Sequence, residues 1–263
     1  MIKPSDVPSV PLPGGGQLPQ VGLGTWKLRG DAVASAVTAA LKAGYRHIDT
    51  ATMYRNEEAI GQALAASGTD RDDVFLTTKL RPSDAGKAER VLRASLRALR
   101  TDRVDLWLLH WPPGRPAASR QAWNELRRLR DCGLARAIGV SNYSLAQIDD
   151  LIEGTGEAPA VNQVHWDPLR YSAQVVSGHT DRGVVMEGYS PLKDISLDHQ
   201  ALVSIATTHG VSPAQVVLRW NIERNIVVIP KSAREDRIAA NIDLFGFQLS
   251  PGELETIDAM TAH

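Results

Sequence analysis

Asp49, Tyr54, Lys79 and His110 are the residues whose types and spacing could carry proton chemistry. Asp49 and Tyr54 lie in GYRHIDTATMYRNEEAIG, residues 44–61. There an apolar-edged run, Tyr45 to Ile48, stops on the acid, and the phenol follows five residues later. Lys79 closes the run Phe75-Leu-Thr-Thr-Lys, and His110 follows Val104–Leu109. An ammonium at the end of an apolar strand is costly without a counter-charge, so Lys79 is expected to pair with Asp49. The ammonium should also favour the phenolate, lowering Tyr54 from its ordinary value of about 10. Such a tyrosine could give a proton to a carbonyl oxygen as hydride arrives at carbon. His110 could donate a hydrogen bond to the same oxygen. Taken singly, each residue reads about equally well as structure: a turn acid, a salt bridge, a staple for the next helix, a core histidine.

What must position these residues is a repeating pattern of short apolar runs that end on polar residues, with helical periodicity between them. The runs are Val21–Gly24, Tyr45–Ile48, Val74–Thr78, Val104–Leu109, Ala137–Val140, Val161–Val164, Val184–Gly188 and Ile226–Ile229. The helical stretches begin with Asp31–Ala43, Glu57–Ala66, Asp84–Leu99, Ser119–Cys132 and Leu145–Glu153. Ser172–Asp181, Leu197–His209, Ser212–Glu223, Ala233–Asp243 and Ser250–Met260 complete them. Eight strands alternating with helices predict an α/β fold with parallel strands. A doubly wound sheet usually has fewer strands and a glycine-rich first turn, and Gly22-Leu-Gly24-Thr-Trp-Lys27 breaks that fingerprint. A (β/α)8 TIM barrel is therefore expected, with its active site at the C-terminal strand ends. The proline- and glycine-rich stretch 10–20 predicts an N-terminal hairpin that closes the barrel bottom, Gly14 to Gly16 supplying its turn.

Read in order, the residues that end the runs are Thr25-Trp26, Asp49, Lys79, His110-Trp111, Ser141-Asn142, Gln163, Tyr189-Ser190 and Lys231-Ser232. All are polar, aromatic or charged, and a barrel would gather them at one mouth.

Composition narrows the function classes. The 263 residues carry 29 basic and 30 acidic side chains, net charge −1. That balance offers no basic face for nucleic acid, and no apolar run is long enough for a membrane span. The N-terminus lacks the apolar core of a signal peptide, and one cysteine, Cys132, fits a reducing compartment. A single domain over residues 1–263, cytoplasmic and monomeric, is expected. Cys132 reads as a small buried side chain in a helix. Lys87, Arg90, Arg93 and Arg97, opposite an apolar stripe, read as a solvated helix face. His47-x-Asp49 and His165-x-Asp167 have no further partner at zinc-like spacing, so no metal is expected; His47 could simply line the barrel interior. Trp123, Trp166 and Trp220 read as packing, Trp26 and Trp111 as neighbours of function.

The sequence resembles an aldo-keto reductase over roughly residues 8–261. The matching stretches are GLGTW (22–26), GYRHIDTATMYRNE (44–57), TTKL (77–80), LLHWP (108–112), AIGVSNY (137–143), VNQVHW (161–166), GYSPL (188–192), SPAQVVLRW (212–220) and IPKSAREDRI (229–238). The resemblance implies a catalytic tetrad of Asp49, Tyr54, Lys79 and His110, with Tyr54 as general acid. It implies a nicotinamide stacked on Tyr189, with Ser141, Asn142 and Gln163 on its carboxamide, and Gly24, Thr25, Trp26 and Asp49 nearby. Ser190 and Leu192 would line the pyrophosphate. Lys231, Ser232, Arg234 and Arg237 would hold a 2′-phosphate, which implies NADP(H), and adenine would rely on Arg237 stacking and on Asn241. Trp26, Tyr54, His110 and Trp111 would face a small-molecule carbonyl substrate.

Three departures from the family pattern stand out: His165 and Ala240, each where glutamate is common, and short segments after His110, after Tyr189 and after Met260. An open, weakly selective mouth is expected. The implied activity is NADPH-dependent reduction of small aldehydes, dicarbonyls or ketones. The alternatives are a cofactor-binding barrel with a redox-sensing or regulatory role and little turnover, and a phosphate-handling barrel using Lys231.

Overall fold

The apolar runs become strands covered on both faces, as parallel strands must be when helices form the return connections. The structure, a computed structural model, describes residues 3–261. A hairpin comes first, β1 (Ser9–Pro11) paired antiparallel with β2 (Gln17–Pro19). The barrel opens with β3 (Leu23–Gly24), β4 (His47–Asp49), β5 (Phe75–Leu80) and β6 (Val104–Leu109). It continues through β7 (Ala135–Ser141), β8 (Val161–His165), β9 (Val185–Tyr189) and β10 (Val227–Ile229). Each of these eight strands pairs parallel with the next in chain order. Backbone contacts then join the last strand to the first: Val21 bridges Val228, Gly22 N donates to Val228 O at 2.8 Å, and Val228 N donates to Gln20 O at 2.9 Å. The expected (β/α)8 barrel is formed.

Helices run between and after the strands: α1 (Asp31–Ala43), α2 (Glu57–Ala66), α3 (Ala88–Leu99), α4 (Pro116–Asp131) and α5 (Leu145–Thr155). They continue as α6 (Ala173–Asp181), α7 (Gln200–His209), α8 (Pro213–Glu223), α9 (Glu235–Ile242) and α10 (Pro251–Asp258). Ser144, Ser212 and Ser250 start α5, α8 and α10 with capping boxes that satisfy otherwise orphaned backbone N–H groups. Several starts differ from the periodicity, α7 beginning at Gln200 and α9 at Glu235 among them. Residues Pro82–Lys87 wind as a 3-10 stretch, so α3 begins only at Ala88. α4 begins at Pro116, whose fixed φ suits the first helical position. Cys132 is corrected: it lies just past the last turn of α4 and is exposed, not buried. Among the described residues no single helix is long and apolar enough to cross a membrane.

The barrel interior is layered. At its N-terminal end Leu106, Leu108, Ala137, Val161 and Val227 form a buried apolar floor, and Leu12 and Leu18 of the hairpin seal it from below. Gly14, Gly15 and Gly16, at φ 85, 102 and 101°, make the hairpin's turn. Outside the strands, Trp107 and Trp123 are buried in the main strand–helix layer, and Trp166 and Trp220 in a second cluster with α7, α8 and α10. Above the floor the interior turns polar.

Gly61 lies against the backbone of a neighbouring helix. A Cβ there would sit 2.7 Å from the Leu99 carbonyl carbon and also against Ala98 O, at the end of α3. Overpacking of this kind costs about 1–3 kcal/mol. Gly61→Ala should therefore lower the urea midpoint without changing the slope; an unchanged midpoint would mean that α2 and α3 separate freely.

Candidate active site

Lys79 is fully buried, so its ammonium must find every partner inside the protein. Its Nζ donates to Asp49 Oδ1 at 2.6 Å, to Asp49 Oδ2 at 2.7 Å and to Thr50 O at 2.8 Å, which uses all three of its protons. The expected ion pair is present. Asp49 aligns with Thr77, two residues before Lys79 on β5, and the lysine's four-carbon stem spans that offset. Burial opposes the ammonium, but the Asp49 carboxylate, helped by Tyr54 and Glu187, outweighs it and holds Lys79 above its ordinary value. For Asp49 burial pushes upward, and Lys79 and Gln163 resist it.

Tyr54 ends a 3-10 turn, Thr52–Tyr54, that is tied down on both sides. Thr52 Oγ1 donates to Lys79 O at 3.0 Å. Asn56, buried just beyond, donates to Thr25 O at 3.0 Å and Leu28 O at 2.9 Å, and accepts from Thr50 Oγ1 at 2.7 Å. These bonds hold the phenol ring with its centroid 5.2 Å from Lys79 Nζ and 5.7 Å, edge to face, from the His110 ring. The expectation of a net lowered Tyr54 is corrected. Burial dominates and raises it; Lys79 pulls it down, and Asp49 and Glu187 push it further up. The lysine works against the barrel's own desolvation. His110 is pushed down to about 3, by burial first and then by the Lys79 charge, so its ring is neutral. Its Nδ1 is buried without a partner among the described residues, which leaves Nε2 as the edge for the cavity.

A second carboxylate lies under this group, one that the sequence reading passed over. Glu187, fully buried on β9, accepts from Gln163 Nε2 at 3.0 Å, and the same nitrogen donates to Asp49 Oδ2 at 2.8 Å. Below it, His47 Nε2 is 3.3 Å from Thr77 Oγ1 and 3.6 Å from Glu187 Oε1. His47 thus lines the barrel interior. Burial pushes it down to about 3.

Above these groups opens a cavity of ≈ 370 Å³. Its wall includes Gly24, Trp26, Asp49, Tyr54, His110, Trp111, Ser141, Asn142, Gln163, Tyr189, Ser190 and Lys231, all expected at the mouth. Met53, His165, Lys193 and Ile229 join them without having been foreseen as wall residues. Trp26, Met53 and Trp111 stand at its rim, 45%, 46% and 47% exposed. Tyr189 is stacked on His165 with centroids 5.3 Å apart and an 11° angle, and its hydroxyl donates to Asn142 Oδ1 at 2.9 Å. Asn142 Nδ2 donates to His110 O at 3.1 Å and to Ser141 Oγ at 2.9 Å, and Ser141 Oγ donates to Gln163 O at 2.8 Å.

Other expected residues are not brought to this wall. Thr25 is buried, and its hydroxyl donates to Asp49 O at 2.9 Å. Leu192 packs against the apolar clusters. Past β10, Ser232 and Asn241 are buried, while Arg234 and Arg237 are exposed and Arg234 pairs with Asp236 at 2.5 Å. Lys231 and Arg237 have no carboxylate partner among the described residues. His165-x-Asp167 does gain a third group through the fold: Asp194 comes close enough that all three ligand atoms lie within 4.8 Å of one another. Arg170 already bridges that pair of acids, bonding Asp167 and reaching Asp194 Oδ2 at 2.7 Å. The cluster is a salt-bridge network.

Glu187 makes stability depend on pH. Burial, then the Asp49 charge, raises it from 4.5 to about 8. Between those values the folded protein holds a proton that the unfolded chain releases. Its contribution is therefore complete below 4.5 and is lost as pH rises to about 8. Glu187→Gln removes this term, so the variant's Tm relative to the parent should improve between about pH 5 and about pH 8.5. An identical Tm difference at both values would contradict it.

Comparison with known proteins agrees with this geometry. The sequence profile described as Aldo/keto reductase family matches residues 20–262. The methylglyoxal reductase DkgA of Yersinia pestis is 39% identical over 253 residues, covering 95% of this chain and 91% of that protein. A crystal structure of an aldo/keto reductase from Brucella melitensis superposes with TM-score 0.93 at 41% identity, covering 97% of this chain and 99% of the other. That of a Bombyx mori aldo-keto reductase in complex with NADP gives 0.92 at 33%, covering 99% and 94%. A closed (β/α)8 barrel, a buried Asp49–Lys79 pair beside a tyrosine and a histidine, and a profile match over nearly the whole sequence lead to one assignment: the chain belongs to the aldo/keto reductase family.

Proposed function

We propose that the protein reduces small aldehydes, dicarbonyls or ketones to alcohols with NADPH, Tyr54 acting as general acid. The observation that carries this reading is the fully buried Lys79, saturated by Asp49 and Thr50 and held 5.2 Å from the Tyr54 ring on the wall of an open cavity. The relatives support the chemistry: one is named a methylglyoxal reductase and another was crystallised with NADP.

The residues present fit the cofactor. Gln163 Oε1 accepts from no described residue and is available to a carboxamide. The Tyr189 ring offers an aromatic face, and Lys231 and Arg237 are cations free for a 2′-phosphate. Gly24, Ser141, Asn142 and Ser190 complete the cavity side, with Ser232, Arg234 and Asn241 beyond it. When bound, NADPH supplies a hydride to the carbonyl carbon.

The chain's own residues manage the proton. Tyr54 donates from its hydroxyl to the carbonyl oxygen, while neutral His110 orients that oxygen through Nε2–H. Lys79 stabilises the phenolate left behind, and Asp49 keeps Lys79 charged in a place where burial would otherwise discharge it. Water reprotonates Tyr54 through the open mouth; alcohol oxidation runs the same steps in reverse. Trp26, Met53 and Trp111 give apolar contact at the rim, which suits small substrates held without tight selection.

Tyr54→Phe removes the proton and leaves the ring. Carbonyl-dependent NADPH consumption should fall by at least about 10²–10⁴-fold, while NADPH still quenches protein fluorescence with the parent's affinity. Undiminished turnover would remove Tyr54 from its role, and binding without turnover over a broad carbonyl panel in the parent would favour a regulatory barrel. Arg237→Ala should weaken NADPH about tenfold more than NADH, the scale of one charge-assisted contact. Equal losses for both cofactors would place the 2′-phosphate elsewhere.

A further inference from the structure

Glu187 has no place in the proton chemistry above, yet it is a carboxyl group buried completely beside a second one. It makes no hydrogen bond to Lys79, whose three protons are taken by Asp49 and Thr50 O. Its closest polar contact is with Gln163, its register neighbour on β8. A side-chain amide has two N–H donors and one carbonyl acceptor. Both donors of Gln163 are spent inside the barrel, on Asp49 Oδ2 at 2.8 Å and on Glu187 Oε2 at 3.0 Å. Turning the amide over would aim its carbonyl at the Asp49 carboxylate and withdraw both N–H donors from their acceptors. With only Asp49 as tether, the amide plane could swivel about that single bond; two acceptors fix it.

We infer that Glu187 is a positioning residue: with Asp49 it locks Gln163 so that only its carbonyl oxygen faces the cavity, and the site thereby selects a nicotinamide whose carboxamide offers an N–H. The inference rests on the NADP(H) reading, since it concerns the group that Gln163 would meet. The groups facing Glu187 are His47 and Asp49 on β4, Lys79 on β5, Gln163 on β8 and Tyr54 above. Among these, Gln163 is the one that Glu187 meets at hydrogen-bond distance.

The test compares NADP+ with its 3-acetylpyridine analogue, which keeps the ring carbonyl and lacks the NH2. Dissociation constants are read by fluorescence quenching, with 2′,5′-ADP, which has no nicotinamide, as the control. The parent should prefer NADP+. Glu187→Met removes the acceptor at similar volume and should narrow that preference about tenfold while 2′,5′-ADP binds as before. Glu187→Gln puts an amide oxygen in the same place and should restore the preference. Glu187→Asp, which withdraws the carboxyl by one methylene, should also narrow it and keeps the test readable where Glu187→Met does not fold. A parent-like preference in folded Glu187→Met or Glu187→Asp would overturn the inference, and so would a Glu187→Gln variant that behaves like Glu187→Met. A parent that binds neither NADP+ nor 2′,5′-ADP would instead overturn the cofactor reading.

Discussion

A lysine ammonium with no water access can exist inside a barrel only where its charge and its donors are all met. In this protein Asp49 and Thr50 O meet those of Lys79 at 2.6–2.8 Å. Desolvating such a pair costs several kcal/mol per ion, and removing one partner leaves an uncompensated buried charge. The surroundings are therefore constrained tightly. β4 and β5 must keep the register that pairs Asp49 with Thr77, and the Thr50 carbonyl must point inward. The Thr52–Tyr54 turn is tied to Lys79 O, and Asn56 anchors the same segment to the loop after β3. The phenol is thus placed by bonds to the same backbone segments that carry the ion pair.

The rest of the barrel supports that charge from below. Its lower interior is apolar and sealed by Leu12 and Leu18 of the hairpin. The middle layer holds His47, Thr77 and Glu187, polar groups shut off from solvent, with Gln163 above them at the cavity wall. Such networks are expensive when partly satisfied, and His47 Nδ1 and Glu187 Oε1 have no partner among the described residues. Low dielectric raises Tyr54 as well. Lys79 offsets part of that rise.

Much of this was legible in the sequence, and the reason is periodicity. α1 and α2 match their expected bounds, because an apolar stripe between a strand end and a glycine or serine leaves little freedom. Most strand-end residues were legible because polar residues that close apolar runs gather at the mouth of a parallel barrel, with Thr25 and Ser232 as exceptions. Glu187 was hidden by the same rule: it lies inside the run Val184–Gly188, where run composition averages away one carboxylate. Strand alternation was the available signal, since Val185, Glu187 and Tyr189 share a face. Asp194 could not be placed beside His165 from sequence, because the contact is made by a loop. The net direction of Tyr54 was misjudged because burial has no linear signature, whereas a nearby lysine does. Cys132 was misplaced by one residue at a helix end.

The central claim is that the Lys79 charge, held by Asp49, pulls Tyr54 down against the rise that burial imposes. Ultraviolet difference titration of phenolate measures it directly, with Tyr54→Phe subtracted to isolate one tyrosine. The comparison is between the parent and Lys79→Met/Asp49→Asn, which removes the pair without leaving an orphan charge. The account expects Tyr54 to ionise at higher pH in the double variant, because the lysine's downward effect exceeds the aspartate's upward one. An unchanged or lower midpoint in a folded double variant would contradict it.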